Sequence, residues 1–170
     1  MAERKGEYTI ALSGRPTVLG YAAVVGKKEG QDPLGQLFDH VGTDDMFGAK
    51  TWEQAEGAAI GMALSFALKK WKADTLPELL FAGDLQNQCM ASAEGLLPFE
   101  IPYFGLYGAC STMAESLLMA AMAVSGGFAD KVVAMTSSHF ASSERQYRFP
   151  LGYGGQRTPT SQWTVTGSGA

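Results

Sequence analysis

A chain of 170 residues is long enough to bury one real core, and 46% hydrophobic with 18% charged residues excludes a disordered protein. The formal net charge of −4 offers no basic surface for phosphates, so nucleic acid is not an expected partner. No run reaches the roughly 18 apolar residues of a bilayer span, and the polar start at residues 1–7 leads into no apolar signal segment, so neither a transmembrane segment nor a signal peptide is expected.

In chain order, residues 7–12 and 17–25 are apolar and β-branched, and Ser13-Gly14-Arg15-Pro16 separates them, which predicts two strands joined by a turn. Residues 26–48 are rich in Gly, Asp and Lys and read as a long ordered loop, of the kind that faces a partner or a ligand. Thr51 can cap a helix in which Ala55, Ala59, Met62, Ala63, Phe66 and Ala67 recur at helical spacing. Gly57 and Gly61 weaken that helix unless another element approaches closely, and Lys69, Lys70 and Lys72 suit its C-terminal dipole. A strand at 78–82, a short helix at 87–97 and a strand at 103–107 follow. Residues 111–125 form a helix apolar on nearly every side, which predicts burial, closed by Gly126-Gly127. Strands are expected at 131–136 and 161–166. The chain stops just after the last of these, which suggests a truncated single domain over 1–170.

Strands alternating with helices indicate an α/β fold with a mainly parallel, mixed sheet, covering helices, and a buried central helix starting at Cys110. The two cysteines, Cys89 and Cys110, are too few for a disulfide framework and lack metal-site spacing. Cys89 lies in an apolar helical stretch and reads as packing. His40 sits in a polar loop, and residues 152–155 lack the lysine and hydroxyl of a phosphate-binding loop.

Tyr107-Gly108-Ala109-Cys110-Ser111-Thr112, a strand end leading through a cysteine into a helix, resembles the nucleophile elbow of thiolases and ketoacyl synthases. Further blocks are more discriminating: Phe81-Ala82-Gly83-Asp84-Leu85-Gln86-Asn87-Gln88, Thr136-Ser137-Ser138-His139, Glu144-Arg145-Gln146-Tyr147-Arg148-Phe149-Pro150, Tyr153-Gly154-Gly155-Gln156 and Thr166-Gly167-Ser168-Gly169-Ala170. Together they resemble the stage V sporulation protein AD family of thiolase-like proteins. That resemblance implies two similar α/β halves, of which this chain matches the first. It implies binding of dipicolinic acid (pyridine-2,6-dicarboxylic acid) for uptake into the developing spore, with any calcium carried by the ligand and no cofactor of the protein's own. It also implies other SpoVA membrane proteins as partners, a homodimer when full length, a peripheral place on the cytoplasmic side of the spore inner membrane, and a part in spore germination. The alternative is a condensing acyltransferase with Cys110 as nucleophile. The histidine and the His or Asn that complete such a site lie in the second half in the wider superfamily.

With that ligand, the candidate site is Asp84, Asn87, Gln88, Cys110, Ser137, His139, Arg145, Tyr147 and Arg148. Cys110 opens a helix, where outward amides favour a thiolate or a bound carboxylate. His139, beside the small Ser137-Ser138 pair, ends a strand on the edge where parallel sheets bind ligands. Arg145 and Arg148 suit a dicarboxylate, which a guanidinium grips with paired hydrogen bonds. An extended segment would put Arg145 and Tyr147 on one face; a helical one would pair Glu144 with Arg148. Asn87 and Gln88 offer amide contacts. Asp84 is either a helix cap or a single ligand of a calcium ion that needs six to eight oxygens. No metal site of the protein's own is expected.

Overall fold

The computed structural model describes residues 3–72, 74–147 and 167–170, the side chains of 144–147 excepted. The chain opens with an antiparallel hairpin, β1 (Glu3–Lys5) and β2 (Thr9–Ala11), in a two-stranded sheet of its own. The β-branched run at 17–25 yields only a short strand at its end, β3 (Val24–Val25). Residues 17–21 are exposed, and among the described residues no neighbouring strand completes their ladder, without which strand-forming composition does not make a strand. The 26–48 loop is ordered by single 3-10 turns at Glu29–Gln31 and Gly35–Leu37. It also adds a two-residue strand, β4 (His40–Val41), parallel to β3.

The long helix α1 (Trp52–Trp71) starts where predicted: Thr51 is extended, and its hydroxyl accepts the Gln54 amide at 3.3 Å. Lys69 and Lys70 fill its last turn and Lys72 ends it in the left-handed region. Then come β5 (Leu79–Gly83), α2 (Met90–Leu96), β6 (Tyr103–Gly105), α3 (Thr112–Ser125), β7 (Val132–His139), α4 (Phe140–Tyr147) and β8 (Gly167–Gly169). The strand expected at 161–166 lies outside the described residues. The helix expected from residue 87 begins only at Met90, because Asn87, Gln88 and Cys89 all have positive φ (37°, 60° and 70°).

The main sheet has the order β4-β3-β8-β7-β5-β6. β5 runs parallel to β6 and β7, and only β8 runs against its neighbours. The architecture is therefore mixed α/β with a mostly parallel sheet. Alternation along the strands divides the core in two. Leu80, Ala82, Val133 and Met135 pack beneath Ala55, Ala59, Ile60, Ala63 and Leu64 of α1. On the other face, Leu79, Phe81, Val132 and Ala134 meet Ala120 and Ala123 of α3. α2 packs on α1 through glycines: a Cβ on Gly95 would run into the carbonyl of Gly57, so the two helices cross nearly backbone to backbone.

The expected burial of the 111–125 helix holds for one stripe only. Thr112, Ser116, Ala120 and Ala123 are buried, whereas Leu117, Leu118, Met119 and Met122 are exposed. The sheet covers a single face of this helix, and an apolar composition on every side cannot by itself supply a second covering layer. Among the described residues, no helix is long and apolar enough to cross a membrane.

Candidate functional site at the strand tips

Because β5, β6 and β7 are parallel, the residues that follow them leave from one edge of the sheet. That edge receives Asp84 to Cys89 after β5, Leu106 to Ser111 after β6, and Ser137 to His139 with α4 at the end of β7. Open parallel sheets bind ligands at this carboxyl edge.

The turn after β5 is organised by Asp84, which is 1% exposed. Its Oδ1 accepts the Gln86 amide at 2.7 Å, and its Oδ2 accepts the Ser92 amide and hydroxyl at 2.7 and 2.6 Å. Asp84 therefore ties the turn after β5 to the first turn of α2 from five residues before that helix's N-cap, Cys89. Asn87 and Gln88 are exposed. Three successive left-handed residues are strained without glycine. Here the strain is held by Cys89, whose thiol donates to the Leu106 carbonyl at 2.9 Å, and by the Tyr107 hydroxyl, which reaches the Leu85 carbonyl at 3.4 Å. These bonds clamp the β5 and β6 tips together. Cys89 is buried, and burial pushes its thiol above the ordinary range, as expected of a packing residue. Burial likewise raises the Tyr103 hydroxyl beneath it.

Cys110 is exposed and sits in a 3-10 turn that feeds α3. The residue before it, Ala109, has φ +51°. A strained strand-to-helix turn that presents a side chain outward is the backbone signature of a nucleophile elbow. Ser111 and Thr112 close the turn by donating to the carbonyls of Gly108 and Ala109.

At the tip of β7, Ser137 and His139 are buried. His139 Nδ1 accepts the Ala141 amide at 3.2 Å while Nε2 lies 2.7 Å from the Asp45 carbonyl, which assigns the neutral Nε2–H tautomer. Its ring thus anchors the 26–48 loop and the start of α4. Residues 140–147 are helical, so Arg145 and Tyr147, two apart, lie on different faces of α4, and the shared-face reading does not hold. Their side chains and all of Arg148 lie outside the described residues.

A residue that the sequence did not single out joins these tips. Glu56 of α1 is fully buried. Its Oε1 accepts from Ser137 Oγ at 3.1 Å, and its Oε2 meets Gln86 Nε2 at 2.5 Å and Ser142 Oγ at 3.0 Å. Burial, and more weakly the charge of Asp84, raise its carboxyl above the ordinary glutamate range, against the opposing hydrogen bonds. Gln86 Oε1 is buried there without a hydrogen-bond partner among the described residues. The available signal was a glutamate between Ala55 and Gly57, on the helix stripe that includes Ile60. No group of three or more His, Cys, Asp and Glu able to hold a metal is present among the described residues.

Comparison with known proteins adds two findings. The family profile described as Stage V sporulation protein AD (SpoVAD) matches residues 6–170. The chain is also similar to the Stage V sporulation protein AD of Bacillus subtilis (strain 168), 44% identical over 148 residues, covering 85% of this chain and 43% of that protein. It thus spans less than half the length of the curated relative that it matches.

Proposed function

The chain belongs to the stage V sporulation protein AD family, and from that premise we propose that it binds dipicolinic acid for uptake into the developing spore. The observation that carries this reading is the gathering, at one sheet edge, of an exposed helix-opening Cys110, the Ser137–His139 tip and the arginine-bearing helix α4. Helix-start amides and guanidinium groups are the groups that grip carboxylates, and the strained turns after β5 and β6 leave Asn87 and Gln88 exposed beside them. In this reading Arg145 of α4 grips the acid, Tyr147 stands on another face of that helix, and Arg148 is next in the chain. Calcium would arrive chelated by the acid, since the protein would supply no resident cofactor. The thiolase-like half would work with the remainder of a full-length homodimer. It would act peripherally, on the cytoplasmic face of the spore inner membrane, and pass the acid to SpoVA membrane proteins; the same binding would bear on germination.

Isothermal calorimetry of the intact protein with dipicolinate, with and without calcium, tests this. Binding should survive Cys110→Ala and fall at least about tenfold in Arg145→Ala, the loss of a charge-assisted pair. Equal affinity in both variants and the wild type would remove the acid from this edge.

One observation favours a second reading, an acyltransferase in which Cys110 is the nucleophile: its thiol is exposed and is preceded by a left-handed alanine. Covalent labelling of Cys110 by an acyl-CoA, with release of free CoA, would establish it.

A further inference from the structure

β8 is short beside its neighbours. It pairs with β7 at Ser137, Ser138 and His139, whereas β5 accompanies β7 from Val132 to Thr136 on the other side. Among the described residues, the edge of Val132–Met135 that faces away from β5 has no ladder partner. The ladder does not fray where β8 stops: Thr136 and Ala170 exchange both backbone hydrogen bonds, at 2.9 and 3.0 Å. Antiparallel ladders repeat such a pair every second residue, so the N–H and C=O of Ala134 and Val132 point to the same side as those of Thr136.

The facing wall keeps the same register. Val24 lies opposite Gly169, and the Gly26 amide donates to the Gly167 carbonyl at 2.8 Å. By the two-residue step, the backbone groups of Ala22 and Gly20 face β7 across the gap. Ala23 and Val25 turn the other way, where their carbonyls accept the amides of Asp39 and Gly42 at 3.0 and 2.8 Å.

Between these walls lies a groove of about 670 Å³, with Val132–Met135 along one side and Ala170 at its end. Ala63 and Leu64 of α1 reach it from one face of the sheet, and Leu117 and Val124 of α3 from the other. Where β8 fills it, the space is one strand wide. A helix, about 10–12 Å across, does not fit such a slot, and a small apolar molecule would leave its backbone donors and acceptors unpaired. An extended apolar chain satisfies both.

We propose that the chain's own continuation beyond Ala170 occupies this groove, extending β8 antiparallel to Val132–Met135 and to residues 19–22. Ala170 already carries the ladder to the mouth of the groove. The matched relative is more than twice as long as the part that this chain covers, which leaves sequence to supply the strand. The side-chain pattern follows from the register. Ser137 reaches Glu56, and a Cβ on Gly169 would meet Ala59, so this opposed pair faces α1. Alternation then turns the first and third positions after Ala170 toward α1, and the second and fourth toward α3. Both faces are covered, so all four positions are apolar. Filling the groove makes residues 19–22 a strand and pairs β7 on both edges behind the Ser137–His139 tip.

Amide hydrogen exchange of the full-length protein, read residue by residue, tests this without substitutions. Ala22, Val132 and Ala134 should exchange at least about a hundredfold more slowly than an unstructured chain; unprotected amides at these positions would overturn the proposal. Disulfide trapping in a Cys110→Ala background identifies the strand. With Met135→Cys, a cysteine at the first position after Ala170 forms a non-hydrogen-bonded pair on the α1 face, within disulfide reach. A cysteine at the second position points to α3. Mild oxidation should link the first pair within one chain, and the second at least about tenfold less. Should Met135→Cys fail to fold, Ala134→Cys repeats the test on the α3 face with the preference reversed. A link between two chains would assign the groove to a second copy. Equal trapping at both positions, or none in a folded variant, would assign it to another segment. Either result overturns the proposal.

Discussion

Two buried carboxyl groups at the carboxyl edge illustrate how differently one residue type is used. Asp84 accepts three hydrogen bonds from two residues no more than eight positions further along the chain, so it stiffens a local turn. Asp84→Ala would strand the buried amides of Gln86 and Ser92 and should cost about 3 kcal/mol in chemical denaturation. Asp84→Asn retains one acceptor oxygen and should cost less. The thiols divide in the same way. An aromatic disulfide reagent should modify the exposed Cys110 at once and the buried Cys89 only after unfolding; equal rates would contradict the clamp between the β5 and β6 tips. The strand-end positions of Cys110, Asp84 and His139 were legible in the sequence, because strand ends can be read from hydrophobic runs and turns. Glu56 was not legible. A glutamate inside a helix normally marks the solvated face, and only the arrival of Gln86, Ser137 and Ser142, distant in sequence, makes its burial tolerable.

Helices and strands with strong local signals appear where the pattern puts them, within one to three residues for α1, α3, β5 and β7. Elements that depend on distant partners do not. Residues 17–23 have strand composition and, among the described residues, no adjacent strand, and residues 87–89 have helical composition but left-handed backbone fixed by contacts to the β6 tip. The paired glycines of α1 and α2 belong with the first group: Gly57 and Gly61, a liability within one helix, announced a close crossing, and Gly95 completes it. Gly95→Ala should separate the helices and lower stability by about 2–3 kcal/mol, read from the denaturation midpoint. An unchanged midpoint would mean that the crossing is not backbone to backbone. At α4 the sequence left helix and extended chain open, and the helix follows from Ser142 and His139 closing its first turn.

Across the molecule, among the described residues, the sheet is well covered by α1 and α2 on one face and by a single helix, α3, on the other. The outer side of that helix leaves Leu117, Leu118, Met119 and Met122 exposed, a concentration of apolar surface unusual on a solvated face. Leu118→Gln with Met122→Gln should reduce binding of an apolar fluorescent dye while changing stability by less than about 1 kcal/mol in total. Undiminished dye binding would place the accessible apolar surface elsewhere, with the groove between residues 14–23, α1 and α3 the alternative. That groove and the carboxyl edge are separate surfaces of the same sheet. The central claim, that a small dicarboxylate sits at the edge, is tested most directly by hydrogen-exchange footprinting with and without saturating dipicolinate. Protection should rise in segments 84–92, 106–114 and 137–147 and leave the 14–23 groove unchanged; protection confined to the groove, or no change anywhere, would contradict the account.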